Sequence, residues 1–211
     1  MTVKTFIFNP VQVNTYVIFD QTHEAAIIDA GCIFENEYRQ IDSFIEHNNL
    51  KIKYLLNTHL HFDHILGSKH IAEKYGTEPQ AHKNDEYLID TLGETLEHFG
   101  VNLNVKAQAI GTYLTENETI KFGNSELKIF HTPGHSLGSL CFYNENDGIL
   151  FSGDVLFRGT IGRTDLPYGD YNMLIHNIQD KLMILPDHTI VYPGHGAPTT
   201  IGEERKSNPY L

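Results

Sequence analysis

"THLHFDH", residues 58–64, places three histidines and one aspartate within seven positions. His59, His61 and Asp63 alternate, so at a strand end or in an extended loop their side chains leave on one side. His64 follows directly and can turn toward the same pocket from the first turn of a helix. Imidazole nitrogens suit zinc or iron, and a carboxylate suits a hard divalent ion. The stretch therefore points to a metal site; the bland alternative is a solvated, histidine-rich loop.

"KYLLNTH" (53–59) reads as a buried strand that runs straight into the histidines. Beyond them His64, Gly67, Ile71 and Tyr75 share a face at helical spacing, which predicts a helix beginning after Asp63, a good capping type. "NTYVIF" (14–19) and "AAIIDA" (25–30) read as paired strands, followed by a helix on Phe34, Tyr38, Ile41 and Ile45. A further helix carries Leu88, Leu92, Leu96 and Phe99. The second half opens with a hairpin around Gly123-Asn124, then strands "SLCFYN" (139–144) and "GILFSGD" (148–154). A helix after Asp170 aligns Tyr171, Ile175, Ile178 and Leu182, and a final strand, "HTIVYPGH" (188–195), ends at His195. Each half runs strands, helix, strand. That order suits an α+β protein of two packed sheets with helices outside. No linker, low-complexity run or repeat interrupts it, so residues 1–211 are expected to form one domain.

Three more polar residues follow strand-like runs, each directly after a glycine: His135 in "HTPGH", Asp154 in "FSGD" and His195 in "YPGH". Together with residues 59–64 they give seven potential ligands, too many for one tetrahedral ion. Seven suit two ions sharing a carboxylate, roughly 3.5–4 Å apart. By direction, His59, His61 and His135 would hold the first ion and Asp63, His64 and His195 the second, with Asp154 bridging.

The net charge of −12 and the lack of any Lys/Arg run argue against nucleic acid as a partner, while a small anion could still meet a local cation or metal. Two cysteines without a C-x-x-C spacing fit a reducing compartment. The N-terminus lacks the pattern of a signal peptide and no apolar run is long enough to span a membrane, so a cytoplasmic location is expected.

The motifs "THLHFDH", "HTPGHSLGS", "GDVLFRGTIGRTD" and "YPGHG", with "NTYVI…IIDAG" near the N-terminus, resemble the metallo-β-lactamase superfamily, most closely the glyoxalase II-like hydrolases. The resemblance covers nearly the whole chain. It implies a four-layer αβ/βα sandwich with a binuclear site at the sheet edge, and the ligand split above. It further implies hydrolysis of S-acyl thioesters such as S-lactoylglutathione by a hydroxide bridging two divalent ions, zinc in the first instance, iron or manganese otherwise. Asp63 and Asp154 would be the catalytic carboxylates. "GTIGRTD" resembles the glyoxalase II segment whose basic residue meets the substrate's anionic end, here Arg163, with Arg158 as a second candidate. The tail "TIGEERKSNPYL" also resembles glyoxalase II, but the helical extension that helps hold glutathione is absent before it, as in the compact bacterial form. By the same resemblance, Asp29 supports the ligands. Cys32 lies near the site mouth, read as a buried small residue. The competing resemblance is to persulfide dioxygenases, which would use one iron on His59, His135 and Asp154. His131 reads as a packed or hydrogen-bonded histidine.

Overall fold

Aromatic and β-branched residues dominate Val13–Phe19, and nearly every position in it is buried, so this strand is covered on both faces. The structure, a computed structural model, describes residues 1–98 and 108–211; Phe99 lies outside them. A first six-stranded sheet has the order β1 (Thr2–Phe8), β2 (Val13–Phe19), β3 (Glu24–Ile28), β4 (Lys51–Leu56), β5 (Pro79–Ala81) and β6 (Thr112–Tyr113). The first three strands pair antiparallel and the rest parallel. Parallel neighbours need crossovers. α1 (Glu35–His47) connects β3 to β4; α2 (Phe62–Ile65) and α3 (Ser68–Tyr75) connect β4 to β5. α4 (Glu86–Asp90) and α5 (Leu92–His98) follow β5.

The second sheet uses β7 (Thr119–Phe122), β8 (Ser125–His131), β9 (Leu140–Asn144) and β10 (Ile149–Gly153). A small separate ribbon follows, β11 (Leu156–Phe157) with β12 (Thr160–Ile161). α6 (Tyr171–Asn177) runs on into a π-helical turn, Ile178–Leu182, and leads to β13 (Ile190–Pro193), which pairs parallel to β10. β14 (Thr199–Thr200) and α7 (Ile201–Ser207) complete the chain.

Strand alternation sorts the core into layers. Ile18, Ile28, Leu56, Phe142 and Phe151 meet between the two sheets. Their neighbours Val17, Ile27 and Leu55 face the other way, onto Ile41, Ile45 and Ile71 of α1 and α3. Tyr143 and Leu150 face Leu174, Ile178 and Leu182. The order helix, sheet, sheet, helix is the expected four-layer sandwich. Each fully buried large apolar side chain contributes about 1.5–3 kcal/mol, and the alternation means that a register slip of one residue would turn two faces inside out.

Several local expectations need correction. β4 stops at Leu56, and residues 57–61 form a loop. Asp63 does not cap α2: the extended backbone of a cap belongs to His61, and Asp63 sits in the first turn. The caps of α6 and α7 are Asp170 and Thr200, which accept hydrogen bonds from the Met173 and Glu203 amides. Phe34 and Tyr171 stand about half exposed; Leu174, one turn along from Asp170, is buried in place of Tyr171. β1, the short strands, β14 and α7 have too few residues, or too little pattern, to be read in advance.

Asp20 joins the sheets at the far edge. From the β2–β3 turn its carboxylate accepts hydrogen bonds from the Thr22 and Asn124 amides at 2.9 and 2.6 Å and from the Ser125 hydroxyl at 3.0 Å. Burial opposes its charge, but these donors outweigh burial and lower its pKa to about 2. Its stabilising contribution is therefore present above its unfolded value and is lost as pH falls toward about 2. Asp20→Ala is expected to cost about 1–3 kcal/mol in denaturant melts at neutral pH, and to shrink the stability difference from wild type as the acid limb is descended.

Candidate metal centre

Four segments converge at one end of the two sheets: the loop after β4, the loop after β8, and the ends of β10 and β13. Backbone bonds knit them, Leu140 N–H to Thr58 O at 2.7 Å, Gly194 N–H to Gly153 O at 2.8 Å and Asn14 N–H to Gly194 O at 2.7 Å. Gly194 is required by crowding, since a Cβ there would collide with Asp154 Oδ1 and His64 Cε1. His59, His61, Asp63, His64, His135, Asp154 and His195 are all brought together. Three overlapping groups each place their ligand atoms within 4.8 Å: His59, His61, His135; His59, His64, Asp154; and Asp63, His64, His195.

Hydrogen bonds choose which ring nitrogen each histidine presents. His135 donates from Nδ1 to the Arg163 carbonyl at 2.8 Å, and the His195 Nδ1 lies 3.1 Å from the Val11 carbonyl. His64 Nδ1 meets Asp29 Oδ2 at 3.0 Å. His59 Nδ1 meets the Thr58 hydroxyl at 3.1 Å, and that hydroxyl donates to Asp29 at 2.6 Å. In each ring Nε2 is left facing the cluster, the arrangement that orients metal-ligating histidines. His59 Nε2, His64 Nε2 and Asp154 Oδ1 are buried without a hydrogen-bond partner. Buried polar atoms are rarely left so, and divalent ions held by the cluster would satisfy all three. His61 differs in presenting Nδ1, 2.9 Å from His135 Nε2.

The electrostatics divide the cluster. Burial, with the neighbouring histidines, holds His59 well below its ordinary range and takes His61 down to about 3. Burial also lowers His135. These imidazoles are neutral, as ligands must be. His64 goes the other way: burial opposes its charge, but Asp63, Asp154 and Asp29 outweigh burial and raise it to about 10. Burial likewise opposes ionisation of Asp63, yet His64 and His195 hold it below the usual carboxylate range. One half of the site is neutral nitrogen and the other is rich in carboxylate.

A cavity of about 810 Å³ opens over the cluster, walled by Phe62, Tyr87, Leu88, Leu166 and Tyr168 among others. Arg163 lines it, held by Asp165 through two contacts of 2.7 Å. Arg158 is not among the residues that wall it and stands exposed in the β11–β12 turn. Asp29 is placed as expected, buried and holding both Thr58 and His64. Cys32 is buried in the core with its thiol pushed up to about 12 by burial. His131 bonds the Leu137 carbonyl and stacks on His82. The sequence reading missed Asn9, whose amide holds the Asp63 carbonyl at 3.0 Å, and Asp85, which binds the loops on either side.

A family model described as the metallo-beta-lactamase superfamily matches residues 8–195, which include all seven cluster residues. The chain belongs to the metallo-β-lactamase superfamily. Within this superfamily it is similar to hydroxyacylglutathione hydrolase GloC of Haemophilus influenzae, 39% identical over 95% of this chain and 93% of that one. Among solved structures it is similar to BLEG-1, described as a B3 metallo-beta-lactamase, with a TM-score of 0.90 and 33% identity over 100% and 99% of the two chains. It is also similar to TTHA1623, solved in a di-iron-bound form, with a TM-score of 0.85 and 31% identity over 100% of both chains. Among the described residues, no helix is long and apolar enough to cross a membrane.

Proposed function

We propose that this superfamily member is a binuclear hydrolase of S-acyl thioesters, acting on small anionic substrates such as S-lactoylglutathione in the manner of its GloC relative. The observation that carries the two-ion reading is the reach of Asp154. Its Oδ1 lies 3.5 Å from His64 Nε2, and its Oδ2 lies 3.7 Å from both His135 Nε2 and His195 Nε2. One carboxylate therefore faces both ligand groups. His59, His61 and His135 would hold one ion, Asp63, His64 and His195 the other, and Asp154 would bridge them. Zinc is the first expectation from the nitrogen ligands; the di-iron relative makes iron the alternative.

Bound there, two divalent ions supply an acidified water as nucleophile and a Lewis acid for the carbonyl oxygen. The protein's own groups do the rest. The three-histidine side brings no charge of its own, so an ion held there would keep most of its electrophilicity. Asp63, kept ionised by His64 and His195, holds the opposite side; a carboxylate held that low takes a proton poorly, so its ligand role comes first. Phe62, Leu88 and Leu166 exclude water from the acyl group. The thiolate is a good leaving group and requires little acid help. Arg163 would meet the substrate's carboxylate. Its pair with Asp165 is exposed and screened by solvent, so a substrate carboxylate can displace Asp165. Arg163→Ala is expected to raise KM about tenfold, or ~1.4 kcal/mol, with metal content and circular dichroism unchanged. A cytoplasmic setting suits a chain whose two cysteines are both free and buried.

The test is metal analysis on anaerobically purified protein joined to three assays. Two ions per chain with turnover of S-lactoylglutathione is the expected result. One iron per chain with oxygen uptake on glutathione persulfide would replace this reading with the oxygenase. Faster turnover of a chromogenic cephalosporin than of any thioester would replace it with a β-lactamase.

A further inference from the structure

Asp85 takes no part in the chemistry above, yet its carboxylate is fully buried at the end of the 3-10 turn Lys83–Asp85, just after β5. Among the described residues it has no cationic partner. A carboxylate in that setting must be held by neutral donors, and three are present. The Leu60 N–H donates at 3.2 Å, the Ser136 hydroxyl at 2.8 Å and the Gly138 N–H at 2.5 Å. The identity of these donors is the point. Leu60 stands between His59 and His61, and Ser136 directly follows His135. The Ser136 hydroxyl is itself fixed by Ser139 Oγ at 2.8 Å. Gly138 allows the approach, since a Cβ there would lie 2.6 Å from Asp85 Cγ.

One carboxylate from the first half of the chain thus grips the loop of His59 and His61 and, across the sandwich, the loop of His135. Asp29 does the corresponding work on the opposite flank through Thr58 and His64. No bond runs from Asp85 to Asp63, His64 or His195, or to their backbone.

We propose that Asp85 is a positioning residue that sets the spacing of His59 and His61 against His135, and so tunes one of the two metal sites selectively. This rests on the two-ion reading. Asp85→Asn keeps the shape but turns an acceptor oxygen into a donor amide facing N–H and O–H groups, so the two loops lose their common anchor. A residue that only supported the fold would lower stability and weaken both sites alike.

The test is titration of the metal-free full-length protein with cobalt(II), followed by visible absorption. Wild type should fill in two phases. His61→Ala should remove the phase of the three-histidine site, and His195→Ala the other, which assigns them. Asp85→Asn is then expected to weaken the three-histidine phase about 10–100-fold, the usual cost of losing a supporting partner, and to leave the other phase unchanged. Ser136→Ala should weaken the same phase by a smaller factor and carries the test alone if the Asn variant does not fold. Equal weakening of both phases, or no weakening in either variant, overturns the proposal while leaving the two-ion reading intact. Wild type taking up no cobalt would overturn both.

Discussion

Asp154→Ala is expected to lower thioester hydrolysis at least about 10³-fold, the upper range for removing one group that stabilises a transition state, and to reduce bound metal to at most one ion per chain. The cause is positional. Asp154 leaves the end of β10 and sets its two oxygens within 3.5–3.7 Å of His64, His135 and His195. Without it, the neutral histidine group and the Asp63 group face each other with no anion between them, and two divalent ions at close range would repel unscreened. Asp154→Asn is informative beside it. The amide keeps an oxygen and the shape but not the charge, so it should retain one ion and recover little activity. Metal analysis and initial rates on the same preparations check both. Full metal content with full activity in the alanine variant would end the bridging reading.

The alternation of His59 and His61 and the glycine-flanked His135, Asp154 and His195 were legible because each is a local pattern: residue type, spacing and a strand before it. The layers were legible for the same reason, since Val17 and Ile18, or Leu55 and Leu56, face opposite ways by the pleat alone. What escaped depends on contacts between distant segments. Asp85 meets Leu60 and Ser136 across separations of 25 and 51 residues, and no local signal marks it. The Asn9 amide meets the Asp63 backbone across 54. Arg158 and Arg163 look alike in sequence; only the fold shows that Arg163 lines the cavity while Arg158 stands in the β11–β12 turn. The residue type of Asp63 suits a cap, but His61 has the extended backbone, which places Asp63 in the first turn of the helix with its Oδ2 3.1 Å from His195 Nε2.

Removing the metal is expected to cost more stability than any single substitution above. Ions that bind only the folded chain stabilise it by about 2.7 kcal/mol per site at a hundredfold excess over Kd. Two sites in a domain of this size correspond to roughly 10–20 °C in Tm at about 2–4 °C per kcal/mol. Protein dialysed against a chelator should melt that much lower, and returning zinc or iron should restore it. Asp154→Ala should show a much smaller gap. The pH dependence follows from His64. In the metal-free chain its pKa is raised to about 10 by Asp63, Asp154 and Asp29 against the effect of burial. That contribution is fully present below the unfolded value near 6.5 and is lost as pH rises through about 10. In the loaded protein the metal would displace the His64 proton, so His64 would give its stability no such fall above 6.5, while metal binding would weaken as pH falls. The difference in Tm between loaded and metal-free protein should therefore widen steadily from pH 6.5 to pH 9. A gap that stayed constant over this range would mean that His64 carries no proton in the metal-free state, and that the carboxylates around it are balanced in another way.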